Sequence, residues 1–245
     1  HRVHVARLSV GHVESRDFHD DAHGVGIDVG DGAHRGRISL LDPYIDRHIG
    51  LGRGEAVQML LIGKPNAHLI IDAIEIDEDA SEQCVENFEA SPWGDKLFCF
   101  HAGLDEFVDE PEDEYDLIIS NPPFYTENFK TENDQRDLAR FEDAMPFEML
   151  VEAADLLLSE NGIFSVIIPF KEEEYFIDLA KEFELFPIKL TRVKGKPTSE
   201  IKRSLLAFQR FESNEIEIDE LTIETERHIY TEEYIALTRD FYLKM

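Results

Sequence analysis

The stretch that decides the fold lies at residues 69–77, Leu69-Ile70-Ile71-Asp72-Ala73-Ile74-Glu75-Ile76-Asp77. Residues 69–74 (LIIDAI) are a short apolar run ending on acidic residues, and residues 79–88 then carry Ala80, Cys84, Val85 and Phe88 at helical spacing, so the pattern predicts a strand followed by a helix. Ser91-Pro92-Trp93-Gly94 breaks that helix, and residues 96–101 (KLFCFH) and 115–120 (YDLIIS) read as the next two strands. These runs are apolar on both faces, as in a parallel sheet covered on both sides. Further along, residues 147–158 are amphipathic, Glu160-Asn161-Gly162 ends them, and residues 163–168 (IFSVII) form another buried strand. Residues 171–183 read as a helix, with strands at 188–193 and 204–211. Alternation of this kind predicts a doubly wound α/β architecture. With no repeats and no low-complexity linkers, residues 1–245 read as one domain carrying residues 212–245 as a C-terminal tail packed on it.

The length of 245 residues suits this reading, since domains average roughly 100–200 residues. No apolar stretch approaches the roughly 18 residues of a bilayer-spanning helix, and the first residues lack the order of a signal peptide. The two cysteines, Cys84 and Cys99, lack metal or redox spacing and cannot build a disulfide framework, so a reducing cytoplasm is expected, with no membrane and no metal.

Lys plus Arg number 24 and Asp plus Glu 53, a net charge of −29. That argues against a general nucleic-acid coat protein, which relies on many cationic contacts to phosphate, but not against an enzyme with one basic face. The acidity is uneven. Residues 1–70 hold 8 Lys/Arg against 9 Asp/Glu, with 8 of the 10 His, 10 of the 14 Gly and one of the 17 Phe. Residues 1–68 are thus compositionally atypical, either a loop-rich subdomain or a segment whose reading frame was disturbed upstream.

In an open α/β sheet, chemistry sits at the carboxyl ends of the strands. Three signals fall there. Gly50, Gly52 and Gly54 form a G-x-G-x-G run ahead of a possible helix, where glycines would let the backbone pass close to a nucleoside; a flexible glycine-rich loop fits the same residues. Glu75 ends the strand at 69–74, and its carboxylate could accept two hydrogen bonds from a ribose diol. Asp77, Glu78 and Asp79 read instead as an acidic helix start. Asn121-Pro122-Pro123-Phe124 follows the strand at 115–120 directly. Two prolines fix φ and remove two donors, holding the Asn121 amide and neighbouring carbonyls rigid. The Asn121 side-chain oxygen and the Pro122 carbonyl could both accept from an exocyclic –NH2, while Phe124 offers a ring for a planar base; a turn with a core phenylalanine is the other reading.

At this tetrapeptide the chain resembles the Rossmann-like S-adenosyl-L-methionine-dependent amino-methyltransferases carrying an N/D-P-P-Y/F motif. Residues 116–124 (DLIISNPPF), 136–140 (RDLAR), 162–169 (GIFSVIIP), 192–203 (RVKGKPTSEIKR) and 229–243 (IYTEEYIALTRDFYL) are similar to the bacterial tRNA(Val) adenine-N6-methyltransferases acting next to the anticodon, at position 37. The resemblance covers residues 69–245; ahead of it, His48 stands where the family has an acidic residue before its glycine loop. It implies a mostly parallel seven-stranded sheet with an antiparallel last strand, S-adenosyl-L-methionine as cofactor and tRNA as partner. It assigns Asn121 and Pro122 to the target amine, Phe124 to stacking on the base and Glu75 to the cofactor ribose. The same motif serves guanine-N2 methylation of rRNA and glutamine-N5 methylation of proteins, and a non-catalytic RNA-binding relative is a further alternative.

Between Lys189 and Arg203 lie six cations, Lys189, Arg192, Lys194, Lys196, Lys202 and Arg203, against a single Glu200. Of these, Lys194, Lys196, Lys202 and Arg203 are the expected phosphate-contacting residues; a solvated loop balancing the acidic surface is the other reading. Oligomeric state is not legible in the sequence.

Overall fold

In the computed structural model, residues 4–8, 25–29, 37–41, 70–109, 114–122 and 146–239 are described. The strands β1 (His4–Leu8) and β2 (Val25–Val29) form a two-stranded antiparallel pair. The main sheet begins with β3 (Arg37–Leu41) and β4 (Ile70–Glu75), followed by helix α1 (Glu78–Ala90) and the edge strand β5 (Leu97–His101). After the short helix α2 (Leu104–Val108), β6 (Tyr115–Ser120) enters on the other side of β3. Helix α3 (Phe147–Leu157), β7 (Leu158–Pro169), helix α4 (Glu173–Glu182), β8 (Phe186–Lys194) and β9 (Ile201–Gln209) continue outward. The tail supplies β10 (Glu217–Thr222), a small pair β11 (Glu224–Glu226) and β12 (Ile229–Tyr230), and helix α5 (Glu232–Thr238).

The strand order is β10-β8-β9-β7-β6-β3-β4-β5. All neighbours are parallel except at β9, which runs antiparallel to both β7 and β8. The seven expected strands are therefore joined by an eighth, because β10 pairs in parallel with the outer edge of β8. The chain winds outward from β3 through β4 and β5, then returns to β6, so the direction of winding reverses between β3 and β6. That switch point is where open α/β sheets form a crevice.

Adjacent residues of one strand feed opposite cores. Ile118 packs with Leu150, Ala154, Phe164, Phe176 and Phe208 beneath α3 and α4, while Leu117 and Ile119 pack with Cys84, Phe88, Leu205 and Tyr234 on the side of α1 and α5. Phe164, Phe176 and Phe208 meet with ring centroids 5.8–6.3 Å apart. Truncating such a buried ring to Ala costs about 3–5 kcal/mol.

Local chemistry sets the boundaries. Asp77 caps α1 by accepting from the Ala80 amide at 3.0 Å, which starts the helix one residue before the spacing suggested and confirms the acidic helix start. In β7, a register shift opposite Tyr115 and Leu117 absorbs the Glu160-Asn161-Gly162 turn within the strand. A Cβ on Gly162 would come within 2.7 Å of Leu158 Cδ1 and 2.8 Å of the Tyr115 carbonyl, so no larger residue fits there without movement.

Candidate active site

The carboxyl ends of β4, β6, β7 and β8 lie along one edge of the sheet, and β9 begins there because it runs in reverse. Glu75, Asn121, Phe170 and Lys194 end or follow these strands, so the topology gathers residues scattered over more than a hundred positions onto one edge.

Glu75 is the last residue of β4 and is 2% exposed. Its carboxylate accepts from the Asp77 amide at 3.1 Å, and its carbonyl accepts from the Ala102 amide at 3.1 Å. A His101 ring nitrogen lies 3.1 Å from the Ile76 carbonyl. The ends of β4 and β5 are thereby tied together, with Ile76 standing 53% exposed beside the acid.

Asn121 follows β6, half-buried, behind the buried Ser120, and Pro122 is buried. Asn121 would fall opposite Ile167 if the β6–β7 register, which pairs Ser120 with Val166, continued one step. Pro123 and Phe124 lie outside the described residues, as do Gly50, Gly52 and Gly54.

The basic window is the β8–β9 hairpin. Its turn, residues 195–200, rises from the same edge, and across the ladders Arg203 pairs with Val193 and with Pro169. Not all six cations face outward. Lys189 bonds Glu217 at 2.7 Å and lies 3.4 Å from Asp219; burial alone would lower its ammonium, but these carboxylates hold it above its ordinary value. Arg192 donates to Glu173 through Nε, at 3.1 and 3.2 Å, and through an Nη, at 2.6 Å, and this bonding holds it above its ordinary value. Lys194, 17% exposed, pairs with Glu220. Lys196 and Lys202 are exposed and Arg203 half-buried. Lys189 and Arg192 are thus committed to carboxylates within the fold.

Glu173 carries no signal of its own in the sequence. This carboxylate is 7% exposed at the start of α4 and accepts from Arg192 of β8 and, at 2.5 Å, from the Ser204 hydroxyl of β9. Its partners lie 19 and 31 residues away, so no local pattern announces it.

No family model matches the chain. It is 71% identical over 204 residues to the tRNA1(Val) (adenine(37)-N6)-methyltransferase of Flavobacterium johnsoniae, covering 83% of this chain and 86% of that protein. It is 51% identical over 217 residues to the protein of the same name from Christiangramia forsetii, covering 88% and 90%. Among solved structures, a protein described as a predicted O-methyltransferase from Agrobacterium tumefaciens aligns with a TM-score of 0.56 at 14% identity, covering 85% of this chain and 90% of that one, a likeness of fold alone. Among the described residues no helix is long and apolar enough to cross a membrane. The sheet order with its reversed β9 is the Rossmann-like methyltransferase arrangement, and at these identities over most of both sequences the chain belongs to the tRNA1(Val) (adenine(37)-N6)-methyltransferase family.

Proposed function

We propose that this chain transfers a methyl group from S-adenosyl-L-methionine to the exocyclic N6 of adenine 37 of tRNA1(Val), with Asn121 and Pro122 holding the target amine. The observation that carries the site is the place of Asn121-Pro122, at the end of β6 beside the switch point of the sheet. The bound cofactor supplies an electrophilic methyl on a sulfonium. The described residues fit such a group: a buried carboxylate ends β4, and the exposed Ile76 offers an apolar surface next to it.

In this reading Glu75 binds the ribose diol. An ionised carboxylate has about four acceptor sites, and the Asp77 amide is a donor to Glu75. Gly50, Gly52 and Gly54 supply the close backbone approach. Asn121 and the Pro122 carbonyl accept from the amine and orient its lone pair outward, and they stabilise the charge that develops on nitrogen as the methyl arrives. Pro123, whose ring fixes its own φ, is assigned with Pro122 to the motif, and Phe124 to stacking on the base, replacing the stacking lost when the adenine turns out of the anticodon loop. Positioning accounts for the rate with no covalent nucleophile, and the proton leaves to solvent after transfer.

The tRNA lies along the β8–β9 hairpin. Lys196, Lys202 and Arg203 meet phosphates, and Lys194 supports the base of the hairpin through Glu220. Labelled methyl transfer to purified tRNA, rRNA and protein substrates tests the proposal. Label in tRNA supports it, and label confined to rRNA guanine or protein glutamine refutes it.

A further inference from the structure

Phe170 is an aromatic residue at a strand end on the edge of the sheet that carries the candidate site. It follows Pro169 at the carboxyl end of β7 and opens a 3-10 turn, Phe170–Glu172, that leads into α4. It is half-buried and belongs to neither hydrophobic core, unlike Phe147, Phe164, Phe176 and Phe208. Its ring lies 5.5 Å from the centre of the Arg192 guanidinium.

That guanidinium is itself held. Arg192 and Ser204 are cross-strand partners in the β8–β9 ladder, and both donate to the buried Glu173 carboxylate three residues after Phe170. Burying a carboxylate is costly unless it is paired and hydrogen-bonded. Here one carboxylate joins β8, β9 and the start of α4, and the outcome is an Arg side chain fixed against one aromatic ring. The backbone is fixed as well, because Pro169 is buried with φ −59° and ψ 136°.

β7 is the immediate neighbour of β6, about 4.8 Å away in a parallel ladder. Asn121-Pro122 follows Ser120, the last residue of β6, and Phe170 follows Pro169, the last residue of β7; with Ser120 paired to Val166, β7 runs two to three residues further before its own buried proline and aromatic residue leave the same edge.

We propose that Phe170 is a second aromatic wall of the target-base pocket, and that Glu173 and Arg192 are positioning residues that set its ring. The inference rests on the proposed methylation of adenine 37. A planar purine turned out of an anticodon loop needs stacking surface, and a ring locked in advance provides it without an ordering cost at binding. Arg192 then acts through Phe170 and not as a phosphate contact, which agrees with its commitment to Glu173.

The test uses full-length protein and an anticodon stem-loop with adenine, or 2-aminopurine as a fluorescent substitute, at position 37. Phe170→Leu keeps apolar bulk but removes the flat ring, and is expected to lower kcat/KM for tRNA about 10- to 100-fold, the range for losing one base–aromatic stack. Calorimetric affinity for S-adenosyl-L-methionine should stay within about twofold of wild type. Phe170→Tyr should restore kcat/KM to within about threefold, and bound 2-aminopurine should be brighter with Phe170→Leu than with wild type or Phe170→Tyr. Glu173→Gln should lower kcat more than it raises KM, because the ring is displaced while the phosphate contacts remain. Wild-type kcat/KM in Phe170→Leu, or equal loss in Phe170→Leu and Phe170→Tyr, overturns the inference while leaving the methylation reading intact. Failure of the wild-type protein to methylate tRNA overturns both.

Discussion

The Glu75 carboxylate accepts a hydrogen bond from the Asp77 amide two residues on, at 3.1 Å. The group proposed to bind the cofactor ribose therefore also holds the turn from which Asp77 caps α1. Glu75→Gln, which keeps an acceptor oxygen but removes the charge, should weaken S-adenosyl-L-methionine binding by about 1–3 kcal/mol. Glu75→Ala should add a loss of stability of about 0.5–1.5 kcal/mol for the missing turn bond. Calorimetry and thermal unfolding separate the two effects; unchanged affinity in both variants would make Glu75 purely structural.

Asn121→Ala removes the side-chain acceptor while leaving β4 and the ribose contact in place. Turnover should fall about 10²–10³-fold, the range for removing one preorganised polar group at a reacting centre. Cofactor affinity should change little. Wild-type turnover in single-turnover assays would remove Asn121 from the chemistry.

Replacing Lys196, Lys202 and Arg203 together by Ala should reduce tRNA affinity and flatten its salt dependence. Each lost phosphate contact removes roughly 0.7–0.9 from the slope of log affinity against log salt. Lys189→Ala is the control, because its ammonium is bonded to Glu217 and close to Asp219. Its slope should match wild type. A weaker triple variant with an unchanged slope would mean that the hairpin acts through structure.

Gly162→Ala probes the fold apart from the site. The added Cβ meets Leu158 and the Tyr115 carbonyl at the amino half of β7, and overpacking of this kind costs about 1–3 kcal/mol. Chemical denaturation should show that loss, with methyl transfer retained at temperatures where the variant is folded.

Where the signal is local, the sequence carries it. The strand Tyr115–Ser120 matches its apolar run residue for residue, since polar residues bound it on both sides. The helix expected from residue 171 starts at Glu173 instead, because Phe170–Glu172 wind as a 3-10 turn above the strand end. The strand Glu217–Thr222 was not legible at all. Its sequence, EIDELT, lies in the C-terminal tail and shows no apolar alternation, and in the structure it pairs with β8, where Lys189 meets Glu217 and Asp219 and Lys194 meets Glu220. The strand Arg37–Leu41 lies in the compositionally atypical segment, where periodicity gave no guidance. At the site, Asn121-Pro122 and Glu75 are legible because strand-end position follows from the strand pattern. The commitment of Arg192 to Glu173 is not, since a charge window counts cations without showing which of them the fold consumes.

The decisive measurement is transfer of labelled methyl from S-adenosyl-L-methionine to tRNA1(Val) transcripts carrying adenine or guanine at position 37, followed by nucleoside mass spectrometry. The expected result is N6-methyladenosine from the adenine transcript and no label in the guanine transcript. Equal labelling of both transcripts, or label appearing only in rRNA guanine or protein glutamine, would contradict the proposed function.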